Sequence, residues 1–325
     1  MNAFIISTGS YLPERVVDNS DLKQFPANAI PLIEAKTGVK SRRYAGEGQF
    51  TSSLAANAAK ACLREFPPEK IDAILLATST ADRPIPAAAA RVASAIGAKN
   101  SFAVDLNSVC TGSVVAVEFA AALVKSGTAK NVLAIAADSY SKILDMSDFS
   151  TAPYFGDGAG CALVSSNPEN AVARIGEAAI HTDGDGFETI TVKAGGSEIP
   201  FGAISNPKDA FFKMKGRAVF EFATDKGRAV IEECLAKNGA DKADVAKFIL
   251  HQANVNIIKK IAGDLGADEG RFFTNLEKYA NTAGASTLIA LDDFLKGGES
   301  PAGNVVLAAF GGGLTWGAIL LEKLK

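Results

Sequence analysis

The chain predicts an α/β fold built on buried sheets, and internal echoes predict that this fold consists of two similar halves. Strand-like apolar runs alternate with Ala-rich helical stretches from one end to the other, the pattern of sheets covered by helices. The segment ANAAKACLREFPPEKIDAILLATS resembles AVIEECLAKNGADKADVAKFILHQA, both running helix, loop, strand. A second pair, KNVLAIAADS and GNVVLAAFGG, sits late in each half. The expected division is residues 1–170 for the half carrying the candidate nucleophile and 171–325 for the half carrying its partners. A length of 325 residues accommodates this, at roughly 150 residues per domain.

The elements follow in order. MNAFIISTGSYLPERVV has no positively charged start, and its apolar run breaks at Ser7, Thr8 and Gly9, so it reads as a first strand rather than a signal peptide or anchor. IDAILLATS, SFAVDLNSV, NVLAIAADS and GCALVSS read as the strands that follow, with KFILHQA and NVVLAAF in the second half. Between the halves, TDGDGFETITVKAGGSEIPFGAISNPKDAFF is rich in Gly, Pro and aromatics and reads as a surface excursion of the kind that covers active sites.

Composition narrows the function classes. The chain is 48% hydrophobic and 21% charged with a net charge of −3, and its Lys and Arg are scattered, which argues against a nucleic-acid partner. A small acidic carrier protein remains compatible with a local basic patch. No apolar stretch approaches the roughly 18 residues of a membrane span, so a cytosolic protein is expected. Cys62, Cys110, Cys161 and Cys234 lack the close pairs of a zinc or redox motif and are expected to be free thiols, with no metal or redox cofactor.

Cys110 ends an apolar run, and a small-residue helix begins directly after it. A helix N-terminus stabilises a thiolate, so a nucleophile with a lowered pKa is one expectation; a buried core thiol is the other, and the two are evenly matched here. Of the two histidines, His251 stands at a strand end where it can face a cleft, whereas His181, beside DGDG, reads as solvent-facing or capping. Asn281 precedes another small-residue helix and by itself reads as a cap. Gly311, Gly312 and Gly313 free the backbone either to place an N–H beside a reacting carbonyl or simply to turn. FGDGAG lacks the spacing of a phosphate loop and reads as close-packed glycine structure.

Taken together and in order, TGVKSRR, the Cys110 segment, FGDGAG, the ILHQAN block, YANTAGAS and AFGGGLTWG resemble the ketoacyl-acyl-carrier-protein synthase III enzymes of the thiolase-like superfamily over essentially the whole chain. The resemblance implies a duplicated five-layered α/β/α/β/α fold, a homodimer, and a triad of Cys110, His251 and Asn281. It also implies an oxyanion hole from the N–H groups of Cys110 and Gly312. The reaction implied is acylation of Cys110 by an acyl thioester, then condensation with malonyl-acyl carrier protein driven by loss of CO₂.

Further positions come from the same resemblance. Family members primed by acyl-CoA usually carry a Trp and an Arg before the TG block and another Arg upstream of FGDGAG; these places hold Leu32, Lys36 and Phe149. Stacking, bidentate geometry and charge are lost in turn, which leaves CoA and a carrier protein both open as primer carrier. Gly216 is kept at the pantetheine turn, but Arg217 replaces the usual Asn; Phe310 heads the glycine run on the substrate surface. Asn256 replaces the basic residue after HQAN, with Lys259 and Lys260 one turn on. Ile85 stands where the family often has Phe closing the acyl pocket across the dimer, and a primer longer than acetyl is the expectation. A specialised condensing enzyme or acyltransferase of secondary metabolism is the alternative. An inactive assembly subunit is a remoter one, since the triad is intact, and a thiolase lacks its second cysteine here.

Overall fold

The computed structural model describes residues 1–297 and 303–323. The first half runs β1 (Phe4–Tyr11), β2 (Val16–Asp18), α1 (Ile30–Thr37), β3 (Ser41–Arg43), α2 (Thr51–Leu63), β4 (Ala73–Ala77), α3 (Ala88–Ile96), β5 (Phe102–Leu106), α4 (Gly112–Lys125), β6 (Asn131–Ser139) and β7 (Asp157–Ser165). The second runs β8 (Ala173–Thr182), β9 (Ile190–Thr191), β10 (Lys213–Met214), α5 (Gly216–Lys237), β11 (Val245–Leu250), α6 (Val255–Leu265), α7 (Leu276–Tyr279), α8 (Ser286–Lys296), β12 (Asn304–Gly311) and β13 (Thr315–Lys323).

The sheet order shows the repeat. The first half is ordered β5-β4-β6-β7-β1, and the second β11-β12-β13-β8. Strands β4 and β6 are parallel and β7 antiparallel to both β6 and β1; likewise β11 and β12 are parallel and β13 antiparallel to both β12 and β8. The place of β5 is taken in the second half by a single parallel bridge between Phe248 and Phe272. Two pairings, Phe4 with Arg174 and Ile5 with Ala173, join the edges of the two sheets.

Alternation along each strand sorts the side chains into layers. In β4, Ala73, Leu75 and Ala77 face inward while Ile74 and Leu76 pack under α2 and α3. In β12, Val305, Leu307 and Ala309 face the same inner layer while Val306, Ala308 and Phe310 pack under α5 and α6. That inner layer is α4 and α8, contributing Val114, Val117, Ala121, Leu288, Ile289 and Leu291. The result is the five-layered α/β/α/β/α arrangement. A helix gripped by sheets on both sides needs small residues: the Cβ that Gly160 lacks would lie 2.6 Å from Leu288 Cβ, so FGDGAG is close-packing structure. Asp292 of α8, 1% exposed, accepts from Thr8 Oγ1 at 2.9 Å and Ser10 Oγ at 2.5 Å and so ties the second half to β1.

Two core strands are absent from the sequence reading. Strand β8 carries polar residues among its alanines, and β13 runs on from the glycine turn without a break, yet both pair along nearly their whole length. The excursion at 182–212 does run largely over the surface. No helix among the described residues is long and apolar enough to cross a membrane.

Candidate active site

The site forms where the turn after β5, the end of β11 and the segment after α7 deliver polar side chains to one cavity, with β5 and β11 contributing from the C-terminal edge at which α/β folds bind ligands. After β5 the chain makes a short turn, Val109–Thr111, and enters α4 at Gly112. Val109 has φ +48°, a left-handed conformation that costs a β-branched residue about 1–3 kcal/mol and fixes the direction in which Cys110 emerges. His251 follows β11 directly, its N–H bonded to Ala308 O at 2.8 Å. Asn281 is held between the N–H of Gly156 and the carbonyl of Tyr154, both at 3.0 Å, and is flanked by Ala280 and Ala283 at φ +57° and +48°.

A cavity of about 670 Å³ has Cys110, His251 and Asn281 in its wall, together with Lys36, Phe149, Gly216, Phe310 and Gly311. All three triad residues are buried, at 6%, 2% and 6% exposure. Gly311 is pressed against Cys110: a Cβ there would sit 2.6 Å from Cys110 Cβ and 3.0 Å from its nitrogen. Gly312 lines a second cavity of about 450 Å³, with Ser79, Asn107, Ser108 and Tyr140. Ile190 and Phe212 are in the walls of both cavities and so stand between them. Phe212 packs with Tyr140 and Phe155 into a three-ring cluster beside Cys110, at centroid distances of 4.9–5.2 Å.

Other expected positions lie outside both cavities in the single chain. Leu32 is 44% exposed on α1, and Ile85 is 83% exposed. Arg217 projects from the first turn of α5 and pairs with Glu221 at 2.9 Å. Asn256 donates to Lys36 O at 2.7 Å, fastening α6 to α1, and Lys260 is taken up by Asp264. His181 is half-exposed, paired with Glu233 at 2.7 Å and packed near Trp316. All four cysteines are free and buried.

The electrostatics correct one expectation. Burial pushes the Cys110 thiol up to about 12, and the neighbouring Asp138 carboxylate adds to the rise. A rise from 9 to about 12 corresponds to about 4 kcal/mol, more than the roughly 2 kcal/mol a helix terminus supplies at best, so desolvation wins and the resting thiol is protonated. Burial depresses His251 to about 3, so the imidazole is neutral.

The hydrogen-bond network assigns donors. Ser286 Oγ lies 2.6 Å from His251 Nδ1 and accepts from the Gln252 N–H at 3.3 Å; among the described residues Nδ1 is the acceptor within reach of its hydroxyl hydrogen, and that pairing leaves Nε2 as the N–H donor. Asn281 Oδ1 accepts from Ala283 N at 2.8 Å, which leaves the Nδ2 amide as the end available to the cavity. Phe310 packs edge-on to His251 at 5.9 Å. Ser286 and Asp138 were not singled out from the sequence. Ser286 sits five residues past Asn281, where it reads simply as a helix start, and nothing in the β6 sequence marks Asp138 as facing the nucleophile.

The chain is similar to known proteins along nearly its whole length. Residues 104–184 match the family described as 3-Oxoacyl-[acyl-carrier-protein (ACP)] synthase III, and residues 235–323 match its C-terminal counterpart. A beta-ketoacyl-[acyl-carrier-protein] synthase III of Streptomyces coelicolor is 38% identical, with 96% of this chain and 95% of that protein covered. The enzyme of the same name from Clostridium acetobutylicum is 36% identical, over 99% and 98%. The crystal structure of 3-oxoacyl-[acyl-carrier-protein] synthase III from Aquifex aeolicus superposes with TM-score 0.90 at 36% identity, covering 98% of this chain and 99% of that one. The priming beta-ketosynthase of the R1128 polyketide pathway superposes with TM-score 0.90 at 28% identity, covering 99% and 96%. The chain belongs to the 3-oxoacyl-[acyl-carrier-protein] synthase III family.

Proposed function

We propose that this protein is a condensing enzyme that takes an acyl group from a thioester onto Cys110 and extends it with malonyl-acyl carrier protein, initiating fatty-acid or related acyl-chain synthesis. The observation that carries this reading is the single cavity that collects Cys110, His251 and Asn281 beside Gly311.

In the first step the Cys110 sulfur attacks the acyl carbonyl, and the N–H groups of Cys110 and Gly312 hold the oxyanion. Each such donor contributes about 10²–10³ in rate. The C–S bond to the carrier breaks, and the proton lost by Cys110 ends on the departing thiolate. This accounting requires no standing thiolate, in keeping with a thiol raised to about 12. In the second step the malonyl carboxylate leaves as CO₂, and its electron pair forms an enolate whose oxygen accepts from His251 Nε2–H and Asn281 Nδ2–H. The enolate carbon attacks the acyl carbonyl, and the Cys110 thiolate leaves and is protonated from solvent. Neutral His251 suits a donor that stays bonded throughout.

Several features support further parts of the reading. The edge strand β5 exposes Phe102 and Val104, at 46% and 40%, and a second copy of the chain pairing along that edge would cover them and bring the exposed Ile85 into contact. Four unpaired cysteines suit a reducing cytosol. Lys36 and Phe149 in the cavity wall, with Leu32 exposed on α1, favour a second reading, a priming enzyme of specialised metabolism whose acyl donor is a carrier protein, in line with the similarity to the R1128 ketosynthase. The experiment is a condensation assay with malonyl-acyl carrier protein and a panel of acyl-CoA and acyl-carrier primers. Formation of 3-oxoacyl-carrier product supports the reading, and the preferred donor separates the two versions. No product from any primer while the protein remains folded would overturn both.

A further inference from the structure

Asp138, at the end of β6, is fully buried and takes no part in either chemical step. Its Oδ1 accepts from the Ser79 N–H at 2.9 Å, Ser79 Oγ at 3.0 Å, Thr80 Oγ1 at 3.1 Å and Thr78 Oγ1 at 3.3 Å. All of these belong to the first half. Its Oδ2 accepts from the Gly284 N–H at 3.0 Å, and Gly284 lies in the turn between Asn281 and Ser286 of the second half. The Cβ that Gly284 lacks would lie 2.7 Å from Val109 O, 3.1 Å from Asp138 Oδ2 and 3.7 Å from Gly112 Cα, so this turn is packed directly on the one that presents Cys110. Ser113, from the first turn of α4, donates to Gly284 O and grips the same residue by its next peptide.

We propose that Asp138 is a positioning residue that fastens the turn carrying Asn281 and Ser286 to the turn carrying Cys110, setting the register of the two halves across the reacting carbon. Four donors from one half fix the carboxylate, and its remaining oxygen binds the other half. Asn281 lies three residues from that bond, and Ser286, two residues beyond it, sets the hydrogen on His251. The same placement puts a negative charge behind the nucleophile, where it disfavours a free thiolate and leaves the uncharged thioester untouched.

The titratable groups facing Cys110 are Asp138 of β6, Tyr140 just after it and His251 from the second half. Burial holds Tyr140 well above the phenol range and His251 near 3, so Asp138, raised to about 6 mainly by burial, is the group of the three that changes charge close to neutrality.

The experiment compares wild type with Asp138→Asn, reading three quantities: acylation of Cys110 by mass, condensation rate, and alkylation of Cys110 by iodoacetamide against pH, with Cys110→Ala as the blank. The expected result is loading little changed, condensation down by about tenfold, as for loss of one charge-assisted hydrogen bond, and an alkylation curve moved to lower pH. Loading and condensation falling in parallel, or an unmoved alkylation curve, would overturn the proposal. Should the variant not fold, Ser79→Ala, which removes one hydroxyl donor from Asp138 Oδ1, is read by the same assays, with condensation expected to fall more than loading; an equal fall in both would overturn the proposal.

Discussion

The hydroxyl of Ser286 stands 2.6 Å from Nδ1 of His251, and because Nδ1 is the acceptor within reach of its hydrogen among the described residues, Ser286 sets which ring nitrogen carries the hydrogen. A neutral imidazole has one donor nitrogen, and the malonyl thioester oxygen needs it on the cavity side.

Ser286→Ala removes this constraint without opening the core, since the side chain loses one oxygen. Decarboxylative condensation is expected to fall by about tenfold, while loading of Cys110 changes little, because only the second step uses the His251 donor. Rapid-quench measurement of the two steps checks the split; an equal loss in both would mean that Ser286 acts by holding the fold.

His251 also links the site to stability. Its folded pKa of about 3 lies below the ordinary value of 6.5, so the native state binds fewer protons than the unfolded one in that window. The corresponding stability is present above about 6.5 and is lost as pH falls toward 3. Asp138, raised from 3.8 to about 6, acts in the opposite sense: its contribution is present below 3.8 and lost as pH rises through 6. His251→Gln should therefore lose less Tm than wild type on acidification from neutrality, by at least about 3 °C, as read by thermal denaturation across that range. Parallel curves would show that the imidazole is not held neutral by burial.

Ile190 and Phe212 separate the 670 Å³ cavity from the 450 Å³ one. The primer's acyl end has to clear the first before malonyl thioester enters by the same mouth, and the second is the space adjoining it. Phe212→Ala is expected to move primer preference toward longer acyl chains, in a loading assay across chain lengths. An unchanged profile would place the length limit elsewhere. Removing a ring from the trio with Tyr140 and Phe155 should also cost about 3–5 kcal/mol, a loss visible in chemical denaturation.

In the proposed dimer, Ile85, exposed in the single chain, would lie against the partner subunit and bear on primer length through it. Ile85→Phe should then shift loading toward shorter primers in the dimer. A variant that keeps the wild-type profile would assign Ile85 to packing alone.

The sequence announced the site more fully than the fold that builds it. Cys110, His251 and Asn281 became a set through the family resemblance, since Asn281 by itself reads as a cap and Cys110 equally as a core thiol; the structure puts all three in one cavity wall, and the two echoes correspond to α2–β4 against α5–β11 and to β6 against β12. Strands β8 and β13 were hidden because a mixed or unbroken pattern carries no strand boundary of its own. Asp138 bonds across the interface of the halves, and Ser286 meets His251 from 35 residues away, relationships that no local pattern describes. The two readings of Cys110 stayed evenly matched in sequence for the same reason: a helix terminus is visible there, whereas the burial that outweighs it depends on Tyr140, Phe155 and Phe212 arriving from elsewhere.

The central claim, that Cys110 carries the acyl group between two thioesters, is tested most directly by intact mass. Wild type and Cys110→Ala are incubated with acyl-CoA and acyl-carrier donors and then chased with malonyl-acyl carrier protein. The account predicts an acyl adduct on wild type alone, cleared by the chase with formation of 3-oxoacyl-carrier product. An adduct that survives in Cys110→Ala, or one on wild type that the chase leaves in place, would contradict it.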